Sequence, residues 1–346
     1  MAQRKKPLVG LDIDPSGLAA AAVSVNGRIR VEQAAVAPLE PGIIRDGEVV
    51  DAEALAEALR AFFRVNKGLD KRVRIGLANQ KIVVRVLEVP PVTDPKELEA
   101  VVRFHAEDEL PMAVDQAVLD YRSLDVVETP GGPRLRVLLV AARRDMVERM
   151  LGAVRSAGLR AEGIDLAAFA MVRALHRAGS EDEPVLYLAI GGLTNLAVAQ
   201  GSTCLFTRAS GGGLEGLAVE LAERCQLTLE HARGWLTHVG LETPLEDIDG
   251  DERIVPEVRR VLLEGVRRIA AEVRNSLDFH AAQGHDAAVS RAVMTGPATA
   301  VPGFVAALAS ELALPVEAGT VDGIPEGIDA GSLTVAAGLA VEEAPA

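Results

Sequence analysis

The chain has 346 residues, of which 49% are hydrophobic and 25% charged, enough for two domains or one two-lobed body with a large core. Aromatic residues reach only 3%, so that core has to rest on Ala, Val, Leu and Ile. The formal net charge of −14 excludes a nucleic-acid partner, because basic pairs such as Arg143-Arg144 and Arg259-Arg260 are too short to make a basic face.

The start Arg4-Lys5-Lys6 looks like the basic end of a secretory signal, but Asp12 and Asp14 interrupt the apolar stretch after it, which a signal core would not tolerate. No apolar run approaches the roughly 18 residues of a membrane span. Cys204 and Cys225 have neither a disulfide framework nor metal-ligand spacing and are expected to be buried thiols. A cytoplasmic location is expected.

In chain order, "LVGLDIDPSGL" reads as a buried strand entering a turn of Asp14, Pro15, Ser16 and Gly17, followed by a second strand and a hairpin at Asn26-Gly27. Asp51 caps a helix to Asn66 with Leu55, Leu59 and Phe62 on one face. Val73 to Val89 is strand-like. Asp94, Pro95 and Glu97 then combine a cap, a first-turn proline and a capping-box acid ahead of a helix carrying Leu98, Val101, Val102 and His105. Residues 117–127 and 134–142 form a strand pair, and 145–157 a helix stopped by Gly158.

The opening plan then recurs half a chain later. "VLYLAIGGLTNL" again runs strand, glycine turn, strand, with a hairpin at Gln200-Gly201, and Ala189 stands where Asp12 stood. Helices near 214–225, 228–237 and 255–283 follow, with the acidic stretch 242–252 as a solvated linker. A strand at 292–294 enters Thr295-Gly296-Pro297, then come helices near 302–313 and 332–342. This repeat makes an α/β chain of two related halves. The first, 1–184, carries a small α+β insert at about 72–160. The second, 185–346, has a helical subdomain at about 211–290, and its final helix 332–342 is placed to pack back on the first half.

Three glycine-bearing turns, at 10–17, 191–195 and 296–303, each follow an apolar strand. Turns at the carboxyl ends of such strands converge on a cleft and suit phosphates and nucleosides. "GGGLEG" (211–216) has dinucleotide-type glycine spacing, but its helix leads into another helix instead of a second parallel strand, so it reads either as a helix start offering N–H groups to an anion or as a flexible hinge between subdomains. His280 and His285 are poorly spaced for a metal, and no Gly-x-Ser-x-Gly elbow supports hydrolase chemistry.

On these residues the chain resembles the actin-like superfamily, and within it the PilM family of type IV pilus assembly. "VGLDI" looks like the first phosphate loop and "LAIGGLTNLAV…LFTRASGGG" like the second. "IAAEVRNSLDFHAAQ" is similar to the long helix of the second lobe, and "VMTGPATAVPGF" to the adenosine loop. "LEVPPVTDPKELEAVVRFHAEDELPMAVDQAVLDYRSL" resembles the inserted subdomain that sets this family apart from kinases and chaperones. The resemblance implies an actin-like (ribonuclease H-like, duplicated) two-lobed fold with an ATP/Mg cleft. Gly10, Asp12, Ser16, Gly191, Gly192, Thr194, Asn195, Gly212, Gly213, Glu272 and Gly296 would contact the nucleotide, and Asp12 would hold magnesium through water. It also implies a PilN-like N-terminal peptide as partner, coupling the membrane alignment complex of PilN and PilO to the assembly motor ATPases, with the membrane reached only through the partner. The strand Ile82–Leu87, or an apolar groove between lobe and insert, is where such a peptide is expected.

Departures from the family pattern touch the cleft. Asp14 replaces a glycine, Ala19 stands in place of a lysine, Ala189 in place of an aspartate, and Pro297 in place of the second of two glycines. Losing a charge-assisted contact costs about ten- to a hundredfold in affinity. Asp14 adds repulsion, Pro297 forbids a positive φ at its own position, and Glu272 also suits an ordinary surface pair with Arg268. Weak nucleotide binding without ATPase activity is expected. The alternatives are a working ATPase or small-molecule kinase of the superfamily, or an FtsA-like divisome tether, although the ending "LAVEEAPA" lacks a basic amphipathic helix.

Overall fold

A computed structural model describes residues 7–177, 183–282 and 288–342; Arg4-Lys5-Lys6, His285 and the last residues of "LAVEEAPA" lie outside them. The first strand, β1 (Val9–Asp14), turns through Pro15 and Ser16 into β2 (Gly17–Val25). Gly27, at φ 68°, takes the left-handed conformation that the Asn-Gly hairpin requires and sends the chain back as β3 (Ile29–Pro38). A short hairpin, β4 (Ile44–Arg45) and β5 (Glu48–Val49), leads to α1 (Ala52–Val65), where the Asp51 carboxylate accepts from the N–H groups of Glu53 and Ala54. Leu55, Leu59, Phe62 and Phe63 bury one face of α1.

The stretch expected as one strand region from Val73 to Val89 is two strands in different sheets. β6 (Arg72–Leu77) lies parallel to β1, whereas β7 (Val83–Val89) begins a separate sheet. Asn79 separates them: its Oδ1 accepts from Lys81 N (2.8 Å) and its Nδ2 donates to the Asp46 carbonyl (2.6 Å), an Asx turn that ends the first strand.

After β7 come α2 (Pro95–Glu109), capped by Asp94, then β8 (Ala117–Thr129) and β9 (Gly132–Arg143). The antiparallel order is β7-β9-β8. Alternate residues of β9 serve two cores: Val137, Leu139 and Ala141 pack with Leu98, Val102 and Ala106 of α2, while Leu138 and Ala142 face the first lobe. The helix α3 (Arg144–Ser156) packs beside α1, and β10 (Arg160–Leu166) joins β6 in parallel, so both belong to the first lobe. The inserted sheet therefore runs from Val83 to Arg143, narrower at both ends than the expected 72–160.

The helix α4 (Ala167–Leu175) leads to the second lobe. There β11 (Val185–Ile190), β12 (Thr194–Gln200) and β13 (Thr203–Ser210) form a meander, with Gly201 at φ 57° in its hairpin. Next are α5 (Leu214–Cys225), α6 (Leu229–Val239) and α7 (Ile254–Ala281). Then β14 (Arg291–Thr295), α8 (Phe304–Leu312), β15 (Val316–Ala318) and α9 (Thr334–Leu339) complete the order. The two five-stranded sheets, β3-β2-β1-β6-β10 and β13-β12-β11-β14-β15, share one plan: two antiparallel pairings followed by two parallel ones.

Between the sheets lie two alanine-rich helices that cross over. α9 rests on β1, β2 and β6 of the first sheet, and α4 rests on β12 and β13 of the second. Their backbones meet where Gly338 touches the Ala170 backbone, a spacing that leaves no room for a Cβ.

Candidate functional site

Both lead strands, β1 and β11, end at the same seam between the lobes, so their turns face one another across a cavity of about 430 Å³. Asp12, Ser16, Gly17 and Ala19 line it from the first lobe, and Gly191, Leu193 and Asn195 from the second. Gly296, Asp329 and Ser332 also line it. Gly296 has φ 91°, and Pro297 occupies the first position of a short 3₁₀ turn, where its missing N–H costs nothing. The proline thus leaves the left-handed glycine before it intact. Asp329 accepts from the N–H (3.0 Å) and hydroxyl (2.8 Å) of Ser332 ahead of α9.

Asp14 makes the central contact. Its carboxylate accepts from Ser16 N (2.9 Å) and from the Ser16 hydroxyl. It also crosses the cleft to accept from Gly192 N (2.7 Å) and Leu193 N (3.3 Å). The receiving turn is held rigidly: Gly191 N donates to Leu193 O (2.9 Å), and Glu215 N of α5 donates to Gly191 O (3.2 Å). A Cβ on Gly192 would lie 2.7 Å from Ser16 N and closer still to Asp14 Oδ1, so this approach requires glycine.

The electrostatics follow from burial and the two acids. Burial, then the neighbouring charge of Asp14, pushes the Asp12 carboxyl up to about 7. Burial also raises Asp14, against the lowering effect of its Ser16, Gly192 and Leu193 donors. Of the described residues lining the cavity, Arg233 alone is cationic, and Glu215 holds it in a bidentate pair at 2.8 and 2.5 Å. Among the described residues no group of three or more His, Cys, Asp or Glu is arranged to hold a metal ion.

The expected site residues divide. Asp12, Ser16, Gly191, Asn195 and Gly296 line the cavity, and Gly192 backs it through Asp14. Gly10 does not: it is buried against α9, with space for a Cβ taken by Ala336 O and Ala340 N, so its smallness serves helix packing. Thr194 is buried in the strand, its Oγ1 without a hydrogen-bond partner among the described residues. Gly212 and Gly213 sit at the start of α5 outside the lining, with Gly213 pressed against Leu193 O. Glu272 accepts from the Ser210 hydroxyl (2.6 Å), and Arg268 turns to Glu220 (2.6 Å), so the expected Arg268–Glu272 pair is not formed. The role of Asp14 as a cross-cleft acceptor is not legible in the sequence: "DPSG" shows a turn, within which Ser16 donates to Asp14, but the Gly192 and Leu193 donors lie in the other half of the chain.

A second cavity, about 510 Å³, lies between the insert and the first lobe, with Ser202, Thr203 and Cys204 of the second lobe also on its lining. Leu124 and Leu138 of the insert face Ile164, Phe169 and Val172 across it. Asp165 and Arg173 pair on its lobe side. Its long walls are β8 and β10, each the edge strand of its sheet. The strand expected to receive a peptide, Ile82–Leu87, is less accessible: β7 abuts β13, and the Arg85 guanidinium lies 5.9 Å from the Phe279 ring centroid.

A family model described as type IV pilus assembly protein PilM matches residues 10–321. The structure of a PilM–PilN type IV pilus biogenesis complex is similar at a TM-score of 0.78 and 26% identity, covering 97% of this chain and 98% of that one. The ethanolamine utilization protein EutJ from Carboxydothermus hydrogenoformans aligns at TM-score 0.57 and 16% identity over 98% of this chain and 91% of its own. MreB5 of Spiroplasma citri bound to ADP aligns at 0.54 and 12%, over 96% and 95%. At that distance the last two speak for the fold alone, which is the actin-like one. Since the family match spans both lobes and the insert, the chain belongs to the PilM family of type IV pilus assembly proteins.

Proposed function

We propose that this protein is a scaffold of pilus assembly that holds the N-terminal segment of a PilN-like membrane protein in the groove between insert and first lobe. The observation that carries the reading is the groove itself, where Leu124, Leu138, Ile164 and Phe169 lie between β8 and β10, each an edge strand of its sheet among the described residues. Such edges add an extended peptide through main-chain hydrogen bonds while the groove takes alternate side chains. The likeness to a PilM–PilN complex over nearly the whole chain supports the choice of partner. Contact with the membrane would pass through that partner, and among the described residues no helix is long and apolar enough to cross a bilayer. Through it the scaffold would link PilN and PilO to the assembly motors.

The central cleft, in this reading, binds nucleotide weakly and does not hydrolyse it. Magnesium triphosphate does not fit the residues as arranged: Asp14 takes the N–H groups of the second turn, Arg233 is neutralised by Glu215, and Ala19 and Ala189 add no ligand. Calorimetry with a synthetic PilN N-terminal peptide tests the scaffold. We expect saturable binding, reduced at least about tenfold by Leu124→Asp in the groove wall, the scale of burying an unpaired charge. An inert wild-type protein would sink the assignment. A phosphate-release assay tests the cleft separately, with no turnover of Mg-ATP expected.

A further inference from the structure

The N–H groups of Gly192 and Leu193 are consecutive, belong to the second lobe, and converge on one carboxylate from the first. Consecutive backbone N–H groups pointing to a common centre form an anion-binding concavity, and a charged acceptor there makes stronger bonds than a neutral one. The acceptor is held from its own side by the Ser16 N–H and hydroxyl, so donors from both lobes share it. The receiving turn is shaped for this contact. Gly192 lacks the Cβ that would strike Ser16 and Asp14, and α5 braces the turn through Glu215 N and Gly213. An incoming phosphate would need the same N–H groups, and it would find a carboxylate on them and no unpaired cation among the described lining residues to offset the repulsion.

We propose that Asp14 is a resident anion: it fills the phosphate-type position of the cleft, ties the lobes together in place of a ligand, and excludes anionic ligands. The proposal deepens the weak-cleft reading and rests on it only for the class of ligand excluded. Asp14 is the last residue of β1, paired to Gly17 through the backbone, so deleting its side chain leaves the strand register in place.

The test uses the full-length protein and its Asp14→Gly and Asp14→Asn variants. Binding of magnesium ADP is measured by calorimetry, and hydrogen exchange over residues 190–196 is followed without ligand. In Asp14→Gly we expect faster exchange at Gly192 and Leu193 and an affinity for magnesium ADP raised about ten- to a hundredfold. Asp14→Asn keeps one acceptor oxygen and loses the charge; its exchange should stay closer to wild type while affinity rises. Unchanged exchange in Asp14→Gly overturns the clasp. Faster exchange with no gain in affinity in either variant overturns the exclusion, while leaving the weak-cleft reading intact. Tight magnesium ADP binding by the wild type overturns both. Should Asp14→Gly fail to fold, Asp14→Asn alone decides, because no gain in affinity there also counts against the proposal.

Discussion

Asp12 shows what the cleft floor costs the fold. Its carboxyl titrates at about 7 in the folded chain, against an ordinary value of 3.8, because burial and the charge of Asp14 oppose ionisation. Between those two values the unfolded chain releases the proton first, so stability falls as pH rises through the window and the penalty is complete above it. Asp12→Asn should therefore stabilise the protein at pH 8 and change little at pH 4. A gain of about 1–3 kcal/mol is expected, less than the whole shift because the carboxylate borders the open cleft. Urea denaturation at the two pH values measures it, and equal effects at both would contradict the assignment. The cysteines separate in the same way. Burial pushes the Cys204 thiol up to about 12, whereas Cys225 is only partly buried, so an alkylating reagent should label Cys225 in the native protein and Cys204 only after unfolding. The expectation of two buried thiols thus holds for one of them.

At the scale of elements, what could be read from the chain was whatever local chemistry determines. Asp51 and Asp94 cap their helices where an Asp precedes an amphipathic run, and Gly27 and Gly201 take positive φ where an X-Gly pair separates two strands. The segment from Arg160 to Leu175 was not legible as β10 and α4. α4 is buried on nearly every side, so it has no polar face to give it a period. β6 and β7 read as one strand region because both interleave apolar residues with charged ones, and the turn that divides them is set by the side chain of Asn79. Gly10 falls among the ligand contacts that the family resemblance implies, and its packing role is not legible because its partner, α9, lies at the far end of the sequence. That packing yields a prediction: Gly10→Ala drives a methyl group into the α9 backbone and should cost about 1–3 kcal/mol in urea denaturation, whereas a nucleotide-contact role alone would leave the stability of the ligand-free protein unchanged.

The duplicated architecture is not two independent halves, because each sheet is covered by a helix from the other half of the chain's plan. α9 follows the whole second lobe yet lies on β1, β2 and β6, and α4 precedes the second lobe yet lies on β12 and β13. Ala170 and Gly338 lock these helices against each other at backbone distance, and Met171, Tyr187, Leu333 and Leu339 fill the space around them. A chain ending at residue 180 would leave the first sheet's inner face without α9, and one beginning there would leave the second without α4. Each exposes a continuous apolar surface of the kind that drives aggregation. Either half expressed alone should therefore be insoluble or unfolded, while the two expressed together should assemble into a soluble pair, the interface between them being the interior of the protein. Co-purification of a tagged first half with an untagged second half checks this. A soluble, cooperatively folding single half would mean that the crossed helices are an accessory to the lobes. If only the pair folds, the lobes can move against each other only as far as α4 and α9 allow, and the Asp14 contact across the cleft acts on a joint those helices already restrain.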